Sequence, residues 1–371
     1  MNPVERTRTL ELGGGEAPEA GHYIELESGI LWIRLPIPGA LRHINVWLVP
    51  GRKGWFLVDT GMKTRVVLEA WASLENRLPL ATGLESIVVT HHHPDHFGMA
   101  HWLSERFGVG VIMHELAAAA AISGMEEPQS GRSEPSDGFV ERLGVELDAD
   151  MRAILRGGGY RAIVSGCPAI NRLPVNARLA GADHDWRISV HDGHAPGHVC
   201  LHDDLARVLI SGDQLLPSIS SNISLYPSNE QGDPLGDYLD SLESLAELPA
   251  DTLVLPAHGR PFMTLHARID ALRREHAGRL QQIRDACVEP ASTSQIAGSL
   301  FRMDRLDALN RLLATTETLA HLRHLELRGQ LHRSGQAESL RWQQSGDCGP
   351  HGSRRPATGD GAAVIRIPDN R

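Results

Sequence analysis

Thr90-His91-His92-His93-Pro94-Asp95-His96 follows the apolar run Ser86-Ile87-Val88-Val89, and this junction decides how the 371-residue chain is read. A strand that ends in His91 and His93 puts two imidazoles, two residues apart, on the same side of the backbone. Pro94 favours a first helical turn, so Asp95 and His96 project together at a helix start, where the peptide dipoles favour a carboxylate. Imidazole and carboxylate donors in this arrangement suit a divalent metal, zinc first and manganese or iron after it. His92, between two donors on the opposite side of the extended segment, reads as structural.

Two ions need more donors than this run supplies, and the chain provides them where other strands end. The predicted strand Trp186–Val190 is followed by His194-Ala195-Pro196-Gly197-His198. The predicted strand Ala206–Ile210 is followed by Ser211-Gly212-Asp213, and Thr252–Leu255 by Pro256-Ala257-His258-Gly259. Each candidate lies beside Gly or Pro, residues that turn a loop and aim its side chains into a cleft.

With these residues the sequence resembles the metallo-β-lactamase-fold hydrolases, whose THxHxDH segment is followed by a PGH histidine, a GD aspartate and a late histidine beside glycine. The resemblance spans roughly residues 25–265. It implies an α/β fold, an αββα sandwich of two mixed sheets with the metals at one sheet edge. It also implies that His91, His93 and His198 hold a first ion and Asp95, His96 and His258 a second, with Asp213 bridging. Asp59, in Leu57-Val58-Asp59-Thr60-Gly61, is expected to hydrogen-bond a ligand histidine, and His194 to support its loop.

The implied chemistry is hydrolysis by a hydroxide bridging two divalent ions, most simply zinc, with Asp95 and Asp213 as the catalytic carboxylates. The segment Gly212–Pro227 resembles acyl-hydrolase-like relatives of the superfamily. A small-molecule acyl substrate (thioester, ester or lactone) is therefore expected, with Ser220, Asn222 and Tyr226 lining its cleft. The alternative is a phosphodiesterase or RNA endonuclease. A thiol-linked dioxygenase with one iron is disfavoured because Asp95 and His96 complete the second metal's donor set.

Composition narrows the partners. A formal charge of −10 argues against nucleic acid and anionic membranes, both of which demand clustered positive charge. With 41% hydrophobic and 22% charged residues the chain has the balance of a globular protein. Its four cysteines are widely spaced and its N-terminal stretch lacks the apolar core of a secretory signal, so a cytoplasmic enzyme is expected. Self-association is left open.

Residues 1–22 read as a flexible N-terminus and 23–288 as the catalytic domain, with a helical insertion or lid at 115–185. Residues 289–344 carry two helical patterns and a hairpin pattern (Leu331–Arg333 with Ser339–Trp342), which together suggest a winged-helix module. That module holds seven arginines against five carboxylates over 291–343, only mildly basic. Residues 345–371, rich in Gly, Pro and Arg, read as a disordered tail.

Overall fold

In the computed structural model, which describes residues 16–345 except 40, 79, 127–137, 141–142, 144–145, 156–158, 174–176 and 337–338, strands and helices alternate as the sequence pattern requires. The first sheet orders seven strands consecutively: β1 (His22–Glu25), β2 (Leu31–Pro36), β3 (His43–Pro50), β4 (Trp55–Val58), β5 (Leu84–Val88), β6 (Gly110–Met113) and β7 (Ile170–Arg172). β1 to β4 pair antiparallel, and β4 to β7 pair parallel. The second sheet runs β12 (Leu253–Pro256), β11 (Val208–Gly212), β10 (His198–Asp203), β9 (Asp185–His191), β8 (Arg178–Ala180), and only its β11–β12 pair is parallel. Both sheets are mixed, as expected.

Period-two alternation sorts the side chains into layers. On β2, Trp32 faces the second sheet and packs with Trp47, Val199 and Ile210, whereas Leu31, Ile33 and Leu35 face outward. The outward face is covered by α1 (Arg65–Glu75), α4 (Ala100–Phe107) and α5 (Glu115–Met125); the short α2 (Leu80–Gly83) and α3 (Pro94–Phe97) lie between them in sequence. Thr64 caps α1 by accepting from the Val67 N–H, which sets its start.

The far face of the second sheet, with Cys200, Leu209 and Val254, packs on α6 (Ala149–Leu155), α7 (Pro234–Leu245), α8 (Leu265–Ala286), α9 (Thr293–Leu300) and α10 (Ala308–Leu327). Leu319, Leu322 and Trp342 belong to the same apolar cluster. The expected C-terminal module therefore shares a core with the second sheet. A two-stranded hairpin, β13 (Leu331–Ser334) with β14 (Arg341–Gln344), is the last element among the described residues, and Ala291 bridges Trp342 of β14.

Three expectations shift. Residues 115–185 are not helical throughout: β7 and β8 complete the edges of the two sheets, while all but the last residue of the Pro/Ser/Gly/Glu stretch 127–138 lies outside the described residues. Residue 22 opens β1, and the Gly21 N–H bonds to Arg34 O at 2.8 Å, so order begins inside the expected N-terminal tail, of which 1–15 lie outside the described residues. The expected C-terminal tail lies outside them from residue 346. No helix among the described residues is long and apolar enough to cross a membrane.

Deep between α8 and α10, His276 and His321 stack with ring centroids 5.3 Å apart. Burial holds the first near pKa about 4, with Arg279 adding to the effect, and the second near about 3, with His276 adding. An unfolded imidazole titrates near 6.5, so below that pH the unfolded chain binds more protons than the folded one. The stability these residues contribute is present above about pH 6.5 and is lost as the pH falls. Chelator-stripped protein is expected to unfold at lower urea at pH 5.5 than at pH 7.5, with a smaller difference in His276→Gln. Equal midpoints would show that the fold keeps these rings protonated.

Candidate metal centre

The loops that carry the candidate donors all leave the C-terminal ends of strands: Asp59 after β4, His91 to His96 after β5, His194 after β9, Asp213 after β11 and His258 after β12. Asp59 fixes the histidine run. Its backbone is in the left-handed region, φ 63°, a conformation that short polar side chains tolerate better than most. Its Oδ1 accepts from the Thr90 N–H at 2.8 Å, both carboxylate oxygens lie 3.0 Å from Thr90 Oγ1, and its Oδ2 lies 2.8 Å from His96 Nδ1. Thr60 Oγ1 donates to His96 O at 2.6 Å, and Gly98 N–H to Pro94 O. A Cβ on Gly98 would come within 2.7 Å of Gly61 O, so glycine is required where the two loops touch.

Hydrogen bonding sets the tautomers. A carboxylate or carbonyl oxygen only accepts, so His96 Nδ1 donates to Asp59, His258 Nδ1 donates to His43 O at 2.8 Å and His194 Nδ1 donates to Asn222 O at 2.9 Å. Each ring, when neutral, thereby presents the lone pair of Nε2. In one group, His91 Nε2 lies 2.9 Å from His93 Nδ1 and 3.3 Å from His194 Nε2, which is 3.3 Å from Asp213 Oδ2. In the other, His258 Nε2 lies 3.3 Å from Asp95 Oδ2, and His96 Nε2 lies 3.7 Å from it.

Asp213 stands between the groups, with Oδ2 3.4 Å from His96 Nε2 and Oδ1 3.4 Å from His258 Nε2. Donors about 2.0–2.1 Å from a tetrahedral ion stand about 3.3 Å from one another, which is the spacing found. His96 Nε2, His258 Nε2 and Asp213 Oδ1 are buried and lack a hydrogen-bond partner among the described residues. Unpartnered lone pairs converging on one volume fit two divalent ions.

One expected donor is displaced. His198, rather than His194, was to complete the first group, but His198 Nε2 accepts from the Asp213 N–H at 3.1 Å and so faces the backbone of β11. His194 occupies the expected place. The cause lies in two turns. Gly193 (φ 109°) redirects the chain after β9 where a Cβ would press within 2.5 Å of Tyr238, and His198 is already the first residue of β10, paired with His191. Both histidines follow a glycine, and no local signal separates them.

Charge is distributed unevenly. Burial, reinforced by neighbouring imidazoles, holds His91 and His93 well below the usual histidine range, so their lone pairs are available at neutral pH. Burial works against ionisation of Asp213, but His258, His96 and His194 outweigh it and hold that carboxyl well below its usual range. Burial likewise opposes charge on His96, yet Asp59, Asp213 and Asp95 raise it.

The residues expected to line the substrate cleft have other partners. Ser220 Oγ donates to Glu275 at 3.0 Å, Asn222 Nδ2 donates to Glu317 at 3.1 Å, and the Tyr226 N–H donates to Asn229 Oδ1 at 2.8 Å. His92 contributes its carbonyl, which accepts from Tyr160 Oη at 2.6 Å.

The chain matches the family model of the metallo-beta-lactamase superfamily over residues 39–258, and over 280–345 that of the metallo-beta-lactamase-like C-terminal domain. The second match describes the region expected to be a winged helix and does not name that fold. The chain is 27% identical to "Probable metallo-hydrolase YqjP" of Bacillus subtilis over 312 residues, covering 80% of this chain and 92% of the relative. It is 28% identical to "Acyl-coenzyme A thioesterase MBLAC2" of Gallus gallus, covering 64% and 80%. A solved beta-lactamase domain protein from Burkholderia ambifaria superposes with a TM-score of 0.79 at 34% identity, covering 89% of this chain and 96% of that one.

Asp59→Asn tests the tautomer argument. An amide turned to keep its oxygen on the Thr90 N–H would donate to His96 Nδ1 and drive the proton to Nε2, the atom that faces the cluster. Retention of divalent metal against a chelator, read by elemental analysis, is expected to fall about 10- to 100-fold. Unchanged retention would show that Asp59 does not set the His96 ring.

Proposed function

The chain belongs to the metallo-beta-lactamase superfamily, and from that premise we propose that it is a dinuclear hydrolase of acyl compounds (thioesters, esters or lactones) with zinc as its natural ion. The observation that carries this reading is the pair of donor groups joined at Asp213. We assign His91, His93 and His194 to one ion, Asp95, His96 and His258 to the other, and Asp213 to both. Bound there, the ions would polarise a substrate oxygen and acidify a water.

The chain's own residues supply the rest. Asp95, an anion beside His96 and His258, is placed to accept the proton released by the attacking water and to hand it to the leaving group. Burial opposes that anion, but the two imidazoles hold its carboxyl below the usual range. Asp213 keeps the two donor groups in register. His43, whose carbonyl fixes His258, is itself held near pKa about 4, by burial first and then by Arg34 and His258, and so stays neutral beside the cleft.

An acyl substrate is supported by the relative named an acyl-coenzyme A thioesterase. The helix–bridge–helix–helix–hairpin order of the C-terminal residues is that of a winged helix, and we read it as one. Its third helix, α10, is the element that would enter a nucleic-acid groove, yet nearly every residue from Leu312 to Leu325 is buried. We therefore take the module as a packing element, which removes the main support for phosphodiester cleavage.

Purified protein should hydrolyse at least one member of a panel of acyl-thioesters, esters and lactones, lose that activity to chelator and leave labelled RNA intact. RNA cleavage without ester activity would sink the acyl reading. His194→Ala should remove an ion whereas His198→Ala should retain both, and Asp213→Ala should lower the metal content from two ions to about one. Loss of metal from His198→Ala alone would restore the expectation drawn from the sequence.

A further inference from the structure

We propose that Glu317, on the C-terminal helix α10, is a positioning residue for the metal centre that acts on His194 through Asn222. The proposal rests on the reading of His194 as a metal donor. A metal-binding imidazole is held by the acceptor on its other nitrogen, which fixes both ring angle and tautomer. For His194 that acceptor is the Asn222 carbonyl, 2.9 Å from Nδ1.

Asn222 belongs to no helix or strand; residues 216–226 cross between β11 and α7 without regular structure. Its carbonyl is only as well placed as the contacts that hold this segment. At the near end, Ser221 Oγ donates to Asp213 O. Beyond it the segment rests on α8 and α10, with one contact internal to it, from Ser224 to Asn222. Asn222 Nδ2 donates to Glu317 Oε2 at 3.1 Å, the Leu225 N–H donates to Thr316 O at 3.1 Å, and Ser224 Oγ lies 2.8 Å from Thr316 Oγ1 and 2.6 Å from Asn222 Oδ1. Arg279 of α8 pairs with the other oxygen of Glu317.

Glu317 is only 8% exposed. Burial raises its pKa, with Arg279 and Asn222 opposing. A carboxylate so enclosed is costly unless each oxygen is engaged. Arg279 engages one oxygen and Asn222 the other, so the ion pair and the amide contact form one unit linking two C-terminal helices to a donor ring 123 residues upstream (317 − 194). The Asn222 contact is what couples the pair to His194.

The test is zinc binding by the full chain, stripped of metal, with a competing chromophoric chelator that resolves two dissociation constants without any substrate. Asn222→Ala leaves the Glu317–Arg279 pair in place, and Glu317→Gln keeps the side-chain shape. Each is expected to weaken one zinc site about 10- to 100-fold and spare the other, and the double variant should lose no more than the worse single one, as residues of one chain of contacts do. Circular dichroism and thermal unfolding of the stripped proteins identify a variant that fails to fold, in which case Asn222→Ala decides alone. Parental affinity at both sites in Asn222→Ala, or equal weakening of both sites, would overturn the proposal. His194→Ala is the control for its premise: if that variant binds two zinc ions with parental affinity, the donor assignment fails and not the link to Glu317.

Discussion

Seven side chains that each offer a lone pair to the same small volume are a liability for a folded chain. His96 Nε2, His258 Nε2 and Asp213 Oδ1 are buried and unpartnered, and a buried polar atom without a hydrogen bond costs about 1–3 kcal/mol by mutational measure. Pairing of the imidazoles with Asp95 and Asp213 offsets part of this cost before an ion arrives. The arrangement must be imposed from behind, and the structure does this by tying the far nitrogen of three imidazoles to oxygens on three different parts of the chain: Asp59, the His43 carbonyl and the Asn222 carbonyl.

The sandwich is suited to this because it brings strand ends from both sheets to one edge. Loops at the carboxyl ends of β4, β5, β9, β11 and β12 meet there, the place where α/β sheets generally receive ligands. The two sheets are also joined by polar contacts beside the cluster. Trp32 Nε1 donates to Asn45 Oδ1 at 2.8 Å, and Asn45 Nδ2 donates to Pro256 O at 2.9 Å and to Gly259 O at 3.0 Å. Asn45 of the first sheet thus fixes the loop of the second sheet that carries His258. The inter-sheet core below, built on the Trp32–Trp47 stack, sets the separation at which these contacts can form.

What could be read from the sequence was whatever is local. A strand followed by a Gly- or Pro-flanked donor is a short-range pattern, and it picked out the histidine run, Asp213 and His258 as candidates, whereas the two mixed sheets followed from the family resemblance. The Asp59 hydrogen bond to a cluster histidine was expected from the family resemblance, and Asp59 Oδ2 lies 2.8 Å from His96 Nδ1. The choice between His194 and His198 was not legible, because it depends on Tyr238 crowding Gly193 and on the register of β10 with β9, both tertiary. β7 and β8 escaped notice because three residues at a sheet edge leave no periodicity. Ser220, Asn222 and Tyr226 were assigned to the cleft because their segment resembles acyl-hydrolase-like relatives, whereas the hydrogen bonds of Ser220 and Asn222 go to helices 55 and 95 residues away.

The C-terminal helices show why mild basicity is a poor guide to partners. α10 carries polar residues on faces that a nucleic-acid-reading helix would expose, but here they point inward and are satisfied. Thr316 meets Ser224, Glu317 meets Asn222 and Arg279, His321 donates to the Glu317 carbonyl, and His324 bonds Asp233. A helix buried over nearly all of Leu312–Leu325 with so many polar side chains has neither a clean apolar stripe nor a solvated face there. The same network has a mechanical consequence. Buried polar groups that are fully paired tolerate few alternative geometries, so the loop resting on α10 inherits that rigidity, and with it the histidine whose ring the loop holds.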